Sequence, residues 1–248
     1  MLRPIISIDG THLRGKYPTQ LLTTTAIDGN NGLFPLAYAV VESENKDSWE
    51  WVLQIIGKHV IGFEKKFVLI SNRQKGLMEA VSKVFSNVFH SFCVKHLTKN
   101  YYTKFKDEVG RRKIWNIARL YTIQDFERAM YFLAKDHLDC HKWLKAINPR
   151  HWATAYFPGK RYIMLTTNIS ESTNVVLNDA RALPIIHLIE TVREKVTKYF
   201  YQTRINGETM KSIVTPFVEK HLEAVSEDAR YFDVFPFSLH IFRVKTTS

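Results

Sequence analysis

Ile5-Ile6-Ser7-Ile8-Asp9-Gly10-Thr11-His12 is a run of apolar and β-branched residues that closes on a carboxylate and a glycine. It reads as a buried strand that carries Asp9 to its end. A second run, Phe67-Val68-Leu69-Ile70-Ser71, has the same character but ends on Asn72. If both strands serve one metal site, a carboxylate is expected where that amide stands. The side chain at position 72 therefore decides between a working metal-dependent enzyme and the remains of one.

Outward from these strands the chain is well punctuated. Gly10, Gly15 and Pro18 bracket a turn, and Leu21 to Ile27 is rich in β-branched residues. Asp28-Gly29-Asn30-Asn31-Gly32 is a cluster of turn formers, and Leu33 to Val41 resumes an extended pattern. Short turns between three successive strands imply an antiparallel start to a sheet. From Ser48 the period changes, because Trp49, Val52, Leu53, Ile56 and Val60 follow helical spacing with Asp47 or Ser48 as N-cap. After the strand at 67–71, Leu77, Ala80, Val81, Val84 and Phe85 mark one helix face, and Val88 to Phe92 reads as a further strand. A helix between the third and fourth strands requires a crossover, which makes the fourth strand parallel to a neighbour. The resulting α/β fold is a mixed sheet flanked by helices, with ligands expected beyond the strand carboxyl ends. Strand order and acid placement are those of an RNase H-like architecture.

The chain has 248 residues, 45% apolar and 13% aromatic, enough to bury a sizeable core. A formal charge of +11 points to a polyanionic partner, nucleic acid before a membrane surface. Two cysteines, Cys93 and Cys140, make no disulfide framework, so a reducing compartment is expected. Neither a signal-peptide core after Met1 nor an apolar run of roughly 20 residues is present, so no membrane association is expected.

Several strings together carry a family resemblance. Asp9-Gly10-Thr11-His12-Leu13-Arg14-Gly15-Lys16-Tyr17, Phe34 to Glu42 and Ser48-Trp49-Glu50-Trp51 come first. Ile70-Ser71-Asn72-Arg73-Gln74-Lys75-Gly76-Leu77, His90 to Leu97 and Asn168-Ile169-Ser170-Glu171-Ser172-Thr173-Asn174 follow in order. Over roughly residues 3 to 204 the chain resembles the plant Mutator-like element (MULE) transposases. The resemblance implies a DDE-type enzyme of DNA transposition and recombination, acting in the nucleus, with an RNase H-like fold interrupted by an all-helical insertion before the third acidic position. The expected divisions are 1–97 for the first part of the catalytic core, 98–160 for the helical insertion, 161–204 for the final part of the core carrying Glu171, and 205–248 for a C-terminal extension. Helical sequence such as Ile123 to Ile147 suits the insertion. In the family an N-terminal DNA-binding region precedes the core and a SWIM zinc-binding segment follows it. Neither is found in this sequence, which reads as a fragment or a shortened coding sequence.

By motif matching, Asp9 takes the first catalytic position, Asn72 the second and Glu171 the third. Such sites need carboxylates because two divalent ions about 4 Å apart must be held on oxygen ligands. The expected cofactor is Mg2+ or Mn2+, on Asp9 and Glu171. An amide at 72 brings no charge and can turn its NH2 toward a cation, so strand cleavage is expected to be impaired or lost. The competing source of the missing ligand is Glu42 or Glu44, just after the third strand. Glu171 also stands out locally: no acid lies between Asp139 and Glu171, while Lys142, Lys145, Arg150, Lys160 and Arg161 do. A lone acid in a first helical turn is otherwise accounted for by the helix dipole.

Cys93-Val94-Lys95-His96 could supply half a zinc site, but the other cysteine, Cys140, lies beside His141 far along the chain, and zinc is not expected. The alternatives are a buried thiol with a capping histidine, or the Cys-x-x-His element of Mutator-type transposases with an active-site or DNA-contacting role for Cys93 and His96. His12 either lines the site or caps a turn. DNA contact is expected from Lys95, Lys99, Lys104, Lys106, Arg111, Arg112, Lys113 and Arg119, which face only Asp107 and Glu108 in the same stretch. Tyr101, Tyr102, Phe105 and Trp115 are interleaved with them, as stacking groups or as a helical core face. Pro184 to Arg204 reads as a basic helix with Ile185, Ile189, Val192, Val196 and Tyr199 inward. Then come a linker at 205–208, a helix at 215–225 and a strand at 239–244. The expected partners are DNA, as transposon ends, and a second copy of the chain. Three readings are open: a transposase core, a repurposed transposase that only binds DNA or protein, and an unrelated nuclease of the same fold.

Overall fold

The computed structural model describes residues 2–17, 19–162 and 164–246. The turn expected at Pro18 lies outside the described residues. Three antiparallel strands open the chain: β1 (Leu2–His12), β2 (Gln20–Asp28) and β3 (Leu33–Val41). Then α1 (Lys46–Ile56), β4 (Phe67–Ser71), α2 (Lys75–Val84) and β5 (Val88–Phe92) complete the sequence β-β-β-α-β-α-β. The five strands form one sheet in the order β3-β2-β1-β4-β5. β1 pairs antiparallel with β2 and parallel with β4, and β4 runs parallel with β5, so the sheet is mixed as expected.

Side-chain alternation assigns each face of the sheet. Ile6 and Ile8 of β1 join Leu22, Ala26, Phe67 and Leu69 under α1 and α2, where Trp49, Val52, Leu53, Leu77, Ala80 and Val81 fill the core. Ile5 points the other way, with Val68, Ile70 and Cys93, and Ser7 and Asp9 share that second face by the two-residue period. β1 does not stop at Asp9. Pairing with β2 carries it to His12, so Gly10 is a strand residue rather than a turn.

Two details of α1 differ from expectation. Its N-cap is Asn45, whose Oδ1 accepts from Ser48 N at 2.9 Å, not Asp47 or Ser48. Beyond Ile56 the helix widens into a π turn over Gly57–Ile61, which rotates Val60 out to solvent.

Four helices follow the sheet strands: α3 (Val94–Phe105), α4 (Glu108–Arg119), α5 (Ile123–Asp136) and α6 (Leu138–Lys145). The segment Ile123–Ile147 is thus two helices broken at His137. These helices have their own core, built on Leu97, Tyr101, Ile114, Phe126, Leu133, Cys140, Leu144 and Trp152. α7 (Asn168–Val176) then returns to the sheet. The long α8 (Ile185–Glu208) absorbs residues 205–208, expected as a linker, into its last turn. Ile185 and Ile189 are exposed, and Leu188 is the residue α8 buries against Leu13, Leu21 and Leu177. Finally α9 (Pro216–Ala229) is capped by Thr215, and β6 (Phe232–Pro236) forms a hairpin with β7 (Phe242–Thr246). The strand expected at 239–244 is therefore shifted, with Leu239 to Ile241 in the connection. No helix among the described residues is long and apolar enough to cross a membrane.

Candidate active site

The site begins where the parallel pair of strands ends. β1 and β4 pair through Ile5↔Val68, Ile6↔Leu69 and Ser7↔Ile70. Both run the same way, so two residues further on Asp9 and Asn72 come abreast at the carboxyl end of the pair. A third strand, β5, delivers Cys93 to the same edge, where its N–H donates to Ser71 O at 2.7 Å.

α7 closes the site from the second face of the sheet, and polar contacts hold it there. Ser170 Oγ donates to Ser7 Oγ at 2.7 Å, Thr173 Oγ1 meets Thr25 Oγ1 at 3.1 Å, and Asn174 Nδ2 donates to Asp9 Oδ2 at 3.0 Å. The match is geometric: four helical residues rise about 6 Å and two strand residues about 6.6 Å. Residues 170 and 174 therefore sit over 7 and 9. Glu171, next on the helix, is turned toward α3. Its carboxylate forms an ion pair with Lys95 and accepts from Thr167 Oγ1 at 3.4 Å.

Cys93, His96 and Glu171 form a tight group, each offering a ligand atom within 4.8 Å of the others. Thr167 Oγ1 lies 3.3 Å from both Cys93 Sγ and His96 Nδ1. Burial works to raise the Cys93 thiol, but His96 and Thr167 outweigh it and hold the thiol below its ordinary value. His96 is raised in turn, first by Cys93 and against its own burial. This thiol, imidazole and carboxylate set is softer than magnesium prefers and gives three donors where structural zinc takes four.

Asp9 is 8% exposed, and burial lifts its carboxyl from 3.8 to about 6. His96 opposes the shift, while Glu44 and Glu171 add to it. These charges therefore share one neighbourhood, and Glu44 is a member that the motif does not place there. A Cβ on Gly10 would meet Glu44 Oε2 at 2.7 Å, so the Glu44 carboxylate lies over Gly10, on the α1/α2 face of β1 opposite the Asp9 side chain. Asn72 Nδ2 donates to Glu44 Oε1 at 3.4 Å, and Asn72 Oδ1 accepts from Gln74 N at 3.2 Å. Glu42, the other carboxylate considered, is exposed.

The remaining residues separate into groups. His12 is exposed at the end of β1, where its carbonyl accepts from Arg181. Lys95 is bound to Glu171, Arg111 to Glu108 and Lys113 to Asp136. Lys99, Lys104, Lys106, Arg112 and Arg119 are exposed and have no ion pair among the described residues. Tyr101 is buried and Phe105 and Trp115 pack on the helical core, so the core reading holds for these three aromatics. Tyr102 is exposed beneath Lys106 and Arg111. Arg161 does not belong to a basic surface: it is 5% exposed and donates to Ser91 Oγ and to the Trp152 and His151 carbonyls. Cys140 is buried in the helical core, apart from Cys93. Sequence reasoning missed Asn174 and Thr167 as site residues, and neither has a local signal beyond its place in the string around Glu171.

The residues fit a divalent cation. Asn174 is 7% exposed, and its Oδ1 has no hydrogen-bond partner among the described residues although its Nδ2 is on Asp9. A buried amide oxygen next to a buried carboxylate is the kind of hard oxygen pair that a divalent cation or its hydration shell would accept. Residues 5–100 match the family model of the MULE transposase domain. No curated protein matches the chain.

Proposed function

We propose that the chain, whose residues 5–100 match the MULE transposase domain, is a transposase-derived core of RNase H-like type that binds DNA and holds divalent metal between Asp9 and Glu171. The observation that carries this reading is the Asn174–Asp9 hydrogen bond at 3.0 Å, which ties the helix bearing Glu171 to the strand bearing Asp9. The helices between Val94 and Lys145 take the place of the family's insertion. The cation we assign is Mg2+ or Mn2+, and when bound it would activate a water or 3′-hydroxyl and steady the leaving oxygen. Asp9, kept from water, would supply the charge that holds it. Exposed Lys99, Lys104, Lys106 and Arg112 would neutralise DNA phosphates, leaving the aromatic rings to the core. The substrate is transposon-end DNA, the compartment the nucleus, and a second copy of the chain would pair the two ends.

Cleavage by this chain is weakened, because Asn72 carries no charge at the position abreast of Asp9. A second reading, a repurposed transposase that binds without cutting, is favoured by the same residue. Metal-dependent nicking of duplex DNA separates them. Cleavage that appears or rises about tenfold or more in Asn72→Asp supports a weakened enzyme. Silence in both proteins, with DNA binding intact, supports the binding protein. Full activity in the parent, unchanged by Asn72→Asp, overturns the role given to Asn72.

A further inference from the structure

Two helix starts meet at the carboxyl edge of the sheet. Val94 N, at the start of α3, donates at 2.8 Å to Leu165 O, just ahead of α7, and the N-cap residues of the two helices, Cys93 and Thr167, touch. Each helix adds a residue one turn further on, His96 from α3 and Glu171 from α7, on the same side as its cap. The Thr167 side chain does not cap its own helix. Its hydroxyl turns instead to the group, 3.3 Å from Cys93 Sγ, 3.3 Å from His96 Nδ1 and 3.4 Å from Glu171 Oε1. Three donor atoms of different chemistry therefore surround one point, and each residue offers a ligand atom within 4.8 Å of the others. Lys95 holds the other carboxylate oxygen, Oε2, which leaves Oε1 toward the thiol and the imidazole. Cys93 is buried while His96 and Glu171 are half-buried, so an ion reaches the group past these two side chains.

We propose that Cys93, His96 and Glu171 form a three-ligand site for Zn2+, with water in the fourth position. Cys93-x-x-His96 alone is half a site, and the fold supplies the third donor from a residue far along the chain. Zn2+ suits this set because it accepts thiolate, imidazole and carboxylate together, whereas Mg2+ prefers hard oxygens throughout. One thiolate and one carboxylate also balance its charge, and the thiol proton leaves to solvent as the sulfur bond forms. Zinc bonds of about 2.0–2.3 Å set donors about 3.5 Å apart, so the three close in by about 1 Å on binding. Rotation of the half-buried His96 and Glu171 side chains supplies that movement. Thr167 N donates to Cys93 Sγ at 3.3 Å, the kind of supporting hydrogen bond that steadies a metal-bound thiolate. The site makes no use of Asp9. Its one further consequence, that zinc displaces Mg2+ or Mn2+, rests on the reading of Glu171 as a ligand of the hard cation, because the same carboxylate cannot serve both.

The experiment is Co2+ titration of the whole chain under a phosphine reductant, with Co2+ standing in for Zn2+. It is read from the visible ligand-field absorption of tetrahedral cobalt and the near-ultraviolet thiolate-to-cobalt band, both bleached by added Zn2+. Circular dichroism checks that each variant is folded, and the half-buried positions 96 and 171 decide the matter should Cys93→Ser not fold. The parent is expected to show both bands, and Cys93→Ser to lose the near-ultraviolet one. His96→Ala and Glu171→Gln are each expected to bind Co2+ at least about tenfold more weakly. Cys140→Ser and Asp9→Asn are expected to stay within about threefold of the parent. No bands in the parent at millimolar Co2+, or a thiolate band lost in Cys140→Ser rather than Cys93→Ser, would overturn the site. Parent-like affinity in His96→Ala or in Glu171→Gln would overturn it as well. Bound Mn2+, followed by electron paramagnetic resonance, is expected to be released as Zn2+ is added, and Mn2+ retained beside bound Zn2+ overturns the displacement. A parent that shows the cobalt bands but binds no Mn2+ keeps the zinc site and overturns the hard-cation reading, whereas Mn2+ binding that depends on Asp9, without cobalt bands, overturns the zinc site alone.

Discussion

A carboxylate buried beside Glu44 and Glu171, and raised to about 6, lowers the stability of the metal-free fold whenever it is ionised. The sign follows from linkage. Asp9 binds its proton more tightly folded than unfolded, so its stabilising contribution is complete below about pH 4 and is lost as pH rises through about 6. In EDTA, denaturation midpoints of the parent should fall across that window. Asp9→Asn should flatten the fall and gain on the order of 2–3 kcal/mol at pH 7. A parent with no pH slope between 4 and 6 would contradict the burial of that charge. Asn72→Asp should act in the opposite direction, because the new carboxylate faces Glu44 where an amide donor stood 3.4 Å away. Its melting temperature in EDTA should drop by about 2–4 °C for each kcal/mol of repulsion, and millimolar Mg2+ should recover it. The motif string made Asp9 legible in the sequence, and the absence of charge at 72 as well. Glu44 was legible only as one of two alternatives with Glu42, because nothing local says which way a loop carboxylate turns.

The secondary elements show why the sheet was readable and the helix that completes the site was not. The apolar runs of β1 and β4 and the period of Trp49, Val52, Leu53 and Ile56 report burial directly, and all of these side chains are buried. α7 touches β1 and β2 through hydroxyls and an amide instead, and its partners lie 163 and 165 residues away. Neither periodicity nor composition records such contacts. The α8 face holds in part for a related reason: Val192, Val196 and Tyr199 are partly buried while Ile185 and Ile189 are exposed, because helical spacing marks an apolar stripe but not how much of it is covered. The α7 contact is open to a double-mutant cycle in urea. Ser170→Ala should cost about 1–2 kcal/mol, since it strips a partner from Ser7, which is wholly buried, and Ser7→Ala in the same chain should add little more. Independent, additive losses would show that the two hydroxyls do not hold the helix down. Asn45→Ala, which removes the N-cap of α1, should cost about 1 kcal/mol without altering cation binding.

Across the whole molecule, positive charge and the carboxylate site are carried by adjoining parts, because α3 holds both His96, beside Glu171, and the exposed Lys99 and Lys104. If those lysines meet phosphates, neutralising Lys99, Lys104 and Arg112 together should weaken binding to any duplex sequence and reduce the slope of log K against log salt by about 3. An unchanged slope would move the DNA path elsewhere on the chain. The contacts of Ser7 with Ser170 and of Asp9 with Asn174 also set an order of events during synthesis. At typical elongation rates roughly 8–30 s separate the first strand from the helix that roofs it. Throughout that interval the leading carboxylate stays hydrated and unaccompanied. A nascent polypeptide halted on the ribosome before residue 168 therefore carries Asp9 without the helix that covers it, however well its early strands have paired, and the roofed pocket is deferred until most of the chain has been made.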